Sequence, residues 1–372
     1  MKKKVLFVSN TANFSKFNLP FMRWCLSQGW RVDYCAPDDE EITECSKHII
    51  LPIPRNPFSG HIFYCINKLR KILREEKYDI IHCHTPMGGV IARLAAKNLF
   101  KKHKVKIIYT AHGFHFFKGA SLKNWMMYYP VEKYLSNFTD ILITINTEDY
   151  KLAKEKFNTD VFFFNGVGVD TSKYVPAIDY KEKDEVRRIK GFSSEDFILL
   201  YVAEFIPRKN HKLLFDILPE LQEKIPTLKV LLAGKGILLE KYRQFVAENN
   251  LNNIVTFLGY TKEVSLYCKL SDILFMPSFQ EGLPISMIEA MATGLPIVAS
   301  NIRGHNDVII SNDYGRLCEL SDKKSFINSV VELYQDRDLC KKISTNNIER
   351  AKIYSTEIAV KKMAELYLSC IQ

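Results

Sequence analysis

Short apolar runs that favour β-strands alternate with helical patterns along almost the whole of this chain. This alternation predicts parallel sheets, because each pair of parallel strands needs a crossover connection that is usually a helix. In the first half, the predicted strands are KVLFVS, RVDYCA, DIIHCH, KIIYTAH, DILITI and DVFFFN. A second series follows after residue 190, with FILLYVA, KVLLAG, IVTFLG, DILFMP and PIVAS. The sequence therefore predicts an α/β protein built on doubly wound parallel sheets.

The length of 372 residues is too great for one compact core and suits two domains of ordinary size. Between about residues 170 and 190 the apolar periodicity is lost and the sequence becomes charged. We therefore predict a first domain at 1–170 and a second domain at 171–354. Helices are predicted at 17–28, 61–76, 88–101, 121–136 and 147–157, and then at 210–224, 237–249, 262–270, 285–293 and 323–334. The C-terminal segment 355–372 predicts an amphipathic helix with Ala359, Met363, Leu366 and Cys370 along one side.

The excess of positive charge lies almost entirely in the first domain. Through Asp170 there are 25 Lys and Arg against 16 Asp and Glu, whereas the remainder has 27 against 26. Two stretches, 67–77 and 92–106, concentrate the basic residues. Basic helices with aromatic neighbours suit an anionic membrane surface, at about 1 kcal/mol per well-placed Lys or Arg. Solvated helix faces are the alternative, and no nucleic-acid-binding motif is present. We favour a peripheral membrane contact that includes the cluster Phe114, Phe116, Phe117, Trp125, Tyr128 and Tyr129.

The cysteines and the apolar segments bear on the cellular compartment. The nine cysteines are scattered without a C-x-x-C pair, which predicts reduced thiols rather than disulfides or a metal site. The apolar run at the N-terminus is too short for a signal peptide, and no stretch approaches the ~20 apolar residues that cross a bilayer. We expect a cytoplasmic protein that binds peripherally to the inner face of the cell membrane.

Two glutamates eight positions apart, Glu281 and Glu289, flank the start of a predicted helix. Glu281 follows the strand run DILFMPS, and Glu289 lies within the helix 285–293. Open α/β sheets bind ligands at the carboxyl ends of their strands, where a helix N-terminus offers free amides to an anion. Carboxylates would repel that anion, so they suit sugar or ribose hydroxyls, from which they accept hydrogen bonds. The segment predicts a site for a sugar nucleotide.

The order and spacing of the motifs resemble the retaining GT-B glycosyltransferases of family GT4, and more closely the bacterial capsule and exopolysaccharide branch. The resemblance covers nearly the whole chain and is carried by KVLFVSN, DIIHCHTPMG, YTAHGFHFFKG, GVGVD, RKNHKLL, LAGKG, FLGY, the paired glutamates and NIRGHNDVI. It implies two Rossmann-like domains that face a cleft, with the acceptor on the first domain and the nucleotide sugar on the second. It also implies that the last helix packs back onto the first domain.

The same resemblance implies roles for single residues. Glu289 matches the glutamate that holds the ribose hydroxyls, and Glu281 matches the one placed near the transferred sugar. Lys209 matches a cation that stabilises the negative charge growing on the diphosphate. His112 matches a histidine that contacts the donor sugar and supports the reaction centre.

One expected phosphate cation is replaced in this chain. Many relatives carry an arginine at the position of Glu204. Arg208 is the candidate substitute, and whether Arg208 or Lys209 faces the diphosphate stays open. Asn210 is predicted to cap the helix that follows. The other substrate-binding candidates are the amides of Gly282, Leu283 and Ile285, which would face the diphosphate, and Gly166 at the domain junction.

Several further motifs give weaker predictions. His82 and His84 in DIIHCH are taken to point to opposite faces of their strand, and no metal site is predicted for them because carboxylate or thiol partners are missing. The G-x-G of LAGKG lacks the rest of a dinucleotide fingerprint, which argues against a dehydrogenase. Arg303 and Asn306 in NIRGHNDVI suit a role in shaping the ligand site or a structural role equally well.

Together these features predict a retaining, metal-independent glycosyltransferase with a UDP-sugar as donor substrate and no cofactor. It would transfer a hexose or N-acetylhexosamine to a lipid-linked oligosaccharide at the cytoplasmic membrane face, in capsular or exopolysaccharide biosynthesis. The preference for UDP over GDP comes from the family alone, and the sugar, linkage and acceptor stay open. Two alternatives remain: a non-catalytic paralogue that binds a nucleotide sugar, and a non-hydrolysing UDP-sugar 2-epimerase, which shares the two-domain architecture.

Overall fold

The computed structural model describes residues 2–97, 99 and 105–371, which divide into two compact units. Unit 1 comprises Met1–Gly168 and Thr356–Gln372, and unit 2 comprises Val169–Ser355. The boundary at Gly168 lies two residues before the predicted one, and the last helix belongs to the first unit, as the family resemblance implies. The end of the helix predicted at 88–101, much of the basic stretch 92–106 and Gln372 lie outside the described residues.

Unit 1 is built around a parallel sheet of seven strands in the order β3-β2-β1-β4-β5-β6-β7. The central strands are continuous apolar runs because helices cover both faces of such a sheet. The strands are β1 Lys4–Val8, β2 Arg31–Ala36, β3 Lys47–Ile50, β4 Ile80–His84, β5 Lys106–Ala111, β6 Ile141–Thr144 and β7 Asp160–Phe163. The helices between them are α1 Ser15–Ser27, α2 His61–Glu76, α3 Pro86–Ala96, α4 Leu122–Ser136 and α5 Thr147–Lys156. The direction of winding reverses between β1 and β4.

Unit 2 has a parallel sheet of six strands in the order β10-β9-β8-β11-β12-β13. The winding reverses between β8 and β11, which makes that pair the topological switch point. The strands are β8 Phe197–Val202, β9 Leu228–Ala233, β10 Val255–Gly259, β11 Ile273–Met276, β12 Ile297–Ser300 and β13 Arg316–Cys318. The helices are α6 Tyr180–Ile189, α7 His211–Lys224, α8 Leu239–Glu248, α9 Val264–Leu270, α10 Ile285–Ala292, α11 His305–Val308, α12 Lys323–Gln335 and α13 Arg337–Ala351.

The last helix, α14 Thr356–Ile371, belongs to unit 1 and packs against α1. Three residues of its predicted apolar side, Ala359, Met363 and Leu366, are buried, but the fourth, Cys370, is only half-buried. Tyr367 is fully buried beside them, and its hydroxyl oxygen lies 2.6 Å from Nδ1 of His82. A hydrogen bond to the central strand β4 thus fixes α14 on unit 1.

All predicted strands are confirmed, but five elements were missed: the helices α6, α11 and α13 and the edge strands β3 and β13. Helix α6 lies in the charged stretch that was interpreted as having no periodic structure. Asp179 caps its first turn by accepting a hydrogen bond from the Glu182 amide. Arg187 is buried and donates to Asp272 at 2.7 Å, which attaches the helix to the start of β11. Long-range ion pairing therefore stabilises a helix that lacks an apolar stripe.

Two rings of the aromatic cluster that was predicted to meet a membrane belong to the core of unit 1. Phe114 and Phe116 are 3% and 1% exposed. Trp125, Tyr128 and Tyr129 are partly buried against the same core. Phe114 and Phe116 are therefore not available to a membrane, whereas Phe117, Trp125, Tyr128 and Tyr129 keep partly exposed rings and their membrane contact stays a prediction. Within the described residues, no helix is both long and apolar enough to span a bilayer.

One ion pair is buried inside unit 1. The Arg93 side chain on α3 is 1% exposed and donates to Glu132 on α4 at 2.9 Å and to the Gly89 carbonyl at 2.9 Å. Its guanidinium lies 4.0 Å from the centre of the Tyr109 ring, and the Tyr109 hydroxyl donates to Glu132 at 3.4 Å. The pair joins α3, α4 and β5, and because both side chains are buried, removal of one charge would leave the other uncompensated.

Candidate active site

The loops that follow β8 and β11 meet at the switch point of the sheet in unit 2. The Phe279 amide donates to the Arg208 carbonyl at 2.9 Å, and the Asn210 side-chain amide donates to the Pro277 carbonyl at 3.0 Å. Asn210 is the N-cap residue of α7, as predicted, but its side chain makes no capping hydrogen bond because it forms this link between the loops. The carboxyl ends of β8 and β11 therefore carry one joined surface, in the position where open α/β sheets bind ligands.

Glu281 forms the centre of a charged group on this surface. Its carboxylate is buried and accepts from Lys209 Nζ at 2.5 Å and from Arg208 Nη1 at 3.4 Å. The Lys209 side chain is 13% exposed and the Arg208 side chain is 43% exposed. Two cations share one carboxylate, so the group has one net positive charge. Lys209 is the better fixed of the two.

The backbone around Lys209 is fixed by close packing. Residues Pro207–Lys209 form a single 3₁₀ turn, and the Tyr201 hydroxyl donates to the Lys209 carbonyl oxygen. At Gly234, whose φ is +151°, a Cβ atom would lie 1.9 Å from the Ala203 carbonyl oxygen. Only glycine allows the loop after β9 to approach the loop after β8 this closely. The G-x-G of LAGKG therefore packs against the loop that carries Lys209. Glu204, in the same loop, is exposed.

A buried histidine, His305, accompanies the carboxylate. Burial alone would raise the pKa of Glu281, but Lys209, His305 and Arg208 together hold it below the ordinary value. His305 Nδ1 lies 2.9 Å from the Ser300 carbonyl oxygen at the end of β12, and burial lowers the pKa of the ring to about 4. Sequence reasoning missed His305, although it lies within the motif NIRGHNDVI. Of the two residues singled out there, Arg303 is buried and Asn306 is exposed.

The predicted anion-binding amides lie at the start of α10. The helix begins at Ile285 with Pro284 as its N-cap residue. Among the described residues, the amides of Gly282, Leu283 and Ile285 donate no hydrogen bond. A Cβ on Gly304, whose φ is +84°, would lie 2.5 Å from the Gly282 carbonyl oxygen, so the loop after β12 packs directly on this turn. The turn is fixed with its free amides at the positive end of a helix.

Glu289 lies one turn into α10 and is paired with a residue that sequence reasoning missed. Burial raises the pKa of the Glu289 carboxyl, and its interactions with the Tyr174 hydroxyl and with Lys173 oppose that rise. Tyr174 is 7% exposed. The tyrosine follows GVGVD in the segment that enters unit 2, and only the fold brings it to α10.

The other predicted site residues, His112 and Gly166, belong to unit 1. His112 follows β5 and is partly exposed, and its Nε2 lies 3.3 Å from Nδ1 of the buried His84. The prediction that His82 and His84 point to opposite faces is wrong, since residues two apart share a face of a strand. Their rings are 4.2 Å apart. Gly166 lines a small cavity beside His84.

The loop after β1 is fixed by a residue that was not predicted. Asp38 accepts from the Ala12 amide at 2.6 Å and from the Thr11 hydroxyl at 3.2 Å. The Asn10 amide donates to Thr85 at 3.1 Å, which joins the loops after β1 and β4 at the switch point of unit 1. The acidic run after β2 was a sequence signal that could have revealed Asp38.

A cavity of about 700 Å³ lies at the opposite, amino-terminal edge of the sheet in unit 2. Asp272 at its wall accepts from Lys183 at 2.9 Å and from Arg187 at 2.7 Å. Lys183 and Arg187 both lie on α6, so Asp272 attaches that helix to the start of β11, and we assign this group a structural role. No group of three or more His, Cys, Asp or Glu in the described part of the chain could hold a metal ion, and all nine cysteines are free.

Two family models match the chain. The family described as Glycosyl transferases group 1 matches residues 182–350, and the one described as Glycosyltransferase Family 4 matches residues 21–170. EpsD of Bacillus subtilis (strain 168), provisionally named a glycosyltransferase, is 37% identical over 99% of this chain and 97% of its own. An Escherichia coli enzyme, UDP-Gal:alpha-D-GlcNAc-diphosphoundecaprenol alpha-1,3-galactosyltransferase, is 30% identical over 82% of this chain and 78% of its own.

Among solved structures, HepE from Anabaena in complex with UDP and glucose aligns with a TM-score of 0.79 over 99% of this chain and 100% of its own, at 18% identity. At that identity the likeness concerns the fold alone, and it agrees with the two parallel-sheet units described above. The chain is a family 4 glycosyltransferase with the GT-B fold.

Proposed function

We propose that this glycosyltransferase is a retaining enzyme that moves a hexose or N-acetylhexosamine from a UDP-sugar to a lipid-linked oligosaccharide without a metal ion or cofactor. The observation that carries the proposal is the Lys209–Glu281 ion pair beside the free amides of α10, at the switch point of unit 2. The name of the Escherichia coli relative, with UDP-Gal as donor and a lipid diphosphate as acceptor, supports the same substrate classes.

The diphosphate would bind where positive charge is already fixed. The amides of Gly282, Leu283 and Ile285 are free to donate, and the Arg208–Lys209–Glu281 group adds one net positive charge. When the bond between the sugar C1 and the phosphate breaks, negative charge grows on the departing oxygen. A cation that is already in place stabilises this charge without reorganisation. Lys209 has this role in the proposal, and Arg208 is a second, more exposed cation.

The two glutamates and His112 would orient the donor. Glu289 would accept hydrogen bonds from the two ribose hydroxyls, while the Tyr174 hydroxyl helps to hold its carboxylate. Glu281 would lie near the transferred sugar and keep Lys209 in place, and His112 would contact that sugar. The acceptor hydroxyl would attack C1 on the face from which the phosphate leaves, and its proton would pass to the departing phosphate oxygen. This front-face exchange retains the anomeric configuration and needs no separate base.

Thermal unfolding with a panel of nucleotide sugars tests both the preference for UDP and the contribution of Glu289 to donor binding. At 100 times its Kd, a ligand stabilises the folded state by about 2.7 kcal/mol, or about 5–10 °C for a unit of this size. We expect this shift with UDP-sugars and a smaller one with GDP- and ADP-sugars. Glu289→Gln should weaken UDP-sugar binding about tenfold or more, because hydrogen bonds to charged groups contribute about 1.5–3 kcal/mol. Glu240→Gln, an exposed change on α8, is the matched control.

The best donor then enters a transfer assay with a lipid diphosphate sugar, with and without EDTA. We expect release of UDP and an unchanged anomeric configuration of the transferred sugar, both insensitive to EDTA. Isomerisation of the donor without acceptor would instead identify an epimerase. Binding without release of UDP across the acceptor panel would identify a non-catalytic paralogue.

We also propose that unit 1 binds an anionic membrane through the α2 surface, defined by Arg55, Phe58, Phe63, Tyr64, Lys68 and Lys71. The three aromatic rings are 77%, 78% and 51% exposed. The three basic residues are exposed beside them, and the opposite side of α2 is buried through Cys65, Leu69 and Leu73. Exposed aromatic rings flanked by Lys and Arg suit the boundary between lipid headgroups and acyl chains. This surface takes the place of the buried rings of Phe114 and Phe116 in the membrane prediction.

Co-sedimentation with vesicles measures the contribution of the α2 surface. Lys68→Glu with Lys71→Glu should weaken binding to phosphatidylglycerol vesicles at least tenfold, because each basic residue near an anionic surface contributes about 1 kcal/mol. Phe63→Ser should also weaken binding, and salt should reduce the binding of the parent protein. The control, Lys212→Glu with Lys241→Glu, changes two exposed lysines of unit 2. Equal binding of all variants, or equal binding to phosphatidylcholine, would contradict the proposal.

A further inference from the structure

We propose that His84 is a positioning residue, which donates a hydrogen bond from its Nδ1 to Nε2 of His112 and so holds His112 as the tautomer with its proton on Nδ1. The role of His112 at the sugar rests on the proposed function, whereas the state of the histidine pair can be measured independently.

The sheet of unit 1 brings the two rings together. His84 is the last residue of β4, and His112 follows the end of the neighbouring strand β5. Nδ1 of His84 lies 3.3 Å from Nε2 of His112, and the ring centres are 5.5 Å apart. The Phe14 ring packs edge-on against His112, with 4.7 Å between the ring centres, and the Phe7 ring lies parallel to His84, with 6.2 Å between the ring centres. The aromatic neighbours restrict both rings, so the hydrogen bond has a fixed geometry.

The environment of His84 selects the direction of this hydrogen bond. His84 is 1% exposed, and its Nε2 is buried with no hydrogen-bond partner among the described residues. If His84 accepted at Nδ1, its proton would be on Nε2 and a buried N–H group would be left unsatisfied. If His84 donates from Nδ1, only a lone pair is left without a partner. Orphaned buried N–H groups are the rarer outcome in proteins, so we assign the donor to His84.

The pair is neutral near pH 7. Burial, together with the neighbouring rings of His82 and His112, holds the pKa of His84 well below its ordinary value. Burial lowers the pKa of His112 to about 4. A neutral imidazole has one N–H group and one lone pair. Because Nε2 of His112 accepts from His84, its proton lies on Nδ1, the only ring nitrogen left to meet a substrate.

The consequence is a fixed hydrogen-bond donor at the end of β5. His112 would present its Nδ1–H group to an oxygen atom of the sugar and could not act there as a proton acceptor. This fits a scheme in which the departing phosphate, rather than a histidine, takes the proton of the acceptor. His82 is not part of the pair, because its Nδ1 and Nε2 lie 2.6 Å from the Tyr367 hydroxyl and 2.8 Å from the Thr110 hydroxyl.

Nitrogen NMR of the histidine rings tests the assignment directly in the unmodified protein. The His112 resonances are identified by their loss in His112→Gln. We expect a protonated Nδ1 and an unprotonated Nε2 in His112 at pH 7, and a protonated Nδ1 in His84. A proton on Nε2 of His112, or a mixture of the two tautomers, would overturn the proposal whatever the variants do.

Kinetics of two variants then show whether the hydrogen bond matters for turnover. His84→Leu removes the donor and should lower kcat roughly 10- to 100-fold, the scale of a misplaced catalytic group, with the donor KM within about threefold. His84→Asn keeps an N–H group near the position of Nδ1 and should restore most of kcat and the Nδ1–H tautomer of His112. His82→Gln, on the same face of β4, should leave kcat within about threefold.

The outcomes separate this inference from the proposed function. A folded His84→Leu protein with unchanged kcat and unchanged His112 resonances would refute the positioning role. If His84→Leu does not fold, His84→Asn provides the test. A proton on Nε2 of His112 together with a normal kcat in this variant would refute the positioning role of His84. A full kcat in His112→Ala would instead remove His112 from the proposed reaction and leave the tautomer measurement intact.

Discussion

Replacing Lys209 with alanine should lower the kcat of sugar transfer by about 100- to 1,000-fold, with a smaller change in the donor KM. This is the scale of loss when one fixed donor to a developing negative charge is removed. Lys209 qualifies because its side chain is only 13% exposed and its ammonium lies 2.5 Å from the buried Glu281 carboxylate. The negative charge on the diphosphate increases as the bond to the sugar breaks. The lysine therefore contributes more to the transition state than to donor binding.

Two further variants complete the measurement of Lys209. Arg208→Ala should reduce kcat by only about tenfold, because the Arg208 side chain is 43% exposed and lies 3.4 Å from Glu281. Lys212→Ala removes an exposed lysine three residues away, which pairs with Asp216 on the same helix, and should leave kcat within twofold. Rates are compared at saturating donor after UDP binding shows that the site is folded. If Arg208→Ala caused the larger loss, the roles of the two cations would be reversed.

The pairing of Lys209 with Glu281 shows which features of this site could be predicted from the sequence and which could not. Each residue was predicted separately, and the two are 72 positions apart. They meet because β8 and β11 are neighbours at the switch point, and the order of strands in a sheet is a property of the tertiary fold. The same holds for Tyr174 beside Glu289 and His305 beside Glu281. Sequence motifs indicated the loops, whereas the partners of each charge needed the topology.

The missed strands have a physical reason in common. The central strands β1, β4, β8 and β11 are buried on both faces and form apolar runs that a sequence reveals. The edge strands β3 and β13 have one buried residue each, Ile49 and Cys318. An edge strand forms because a neighbour supplies hydrogen bonds along one side, so burial leaves little pattern in its sequence. The edge strands β7 and β10 also have one buried residue each, and they were predicted from their Val- and Phe-rich composition. Helix α13 was missed for a similar reason, since only Ile343, Asn347 and Ala351 are buried.

The wrong predictions came from local rules that tertiary packing overrides or that were misapplied. Asn210 has the residue type of a helix cap, but the link to the loop after β11 uses its side chain. The segment 114–129 has the composition of an interfacial surface, but its Phe114 and Phe116 rings are buried in the core of unit 1. For His82 and His84, the period of two along a strand was applied in the wrong sense. The pair from which the tautomer of His112 was inferred has a different origin, since it forms where the neighbouring strands β4 and β5 end.

Replacing Arg93 with methionine should destabilise unit 1 by about 3–5 kcal/mol, the largest stability loss that we expect from a single change outside the site. Methionine fills much of the same volume, but Glu132 is left buried, at 8% exposure, without its cation. The double variant Arg93→Met, Glu132→Leu removes both charges and should recover most of the loss, because an apolar pair of similar size is often as stable as a buried ion pair.

Tryptophan fluorescence during urea unfolding isolates this effect, because all three tryptophans, Trp24, Trp30 and Trp125, belong to unit 1. The control is Arg23→Met, whose ion pair with Glu44 is largely exposed on the arginine side and should change the free energy of unfolding by less than about 1 kcal/mol. Equal losses in the single and double variants would mean that packing of the Arg93 stem, rather than its charge, stabilises the joint between α3 and α4. A loss below 1 kcal/mol in Arg93→Met would show that water reaches Glu132 and that the pair is not buried in solution.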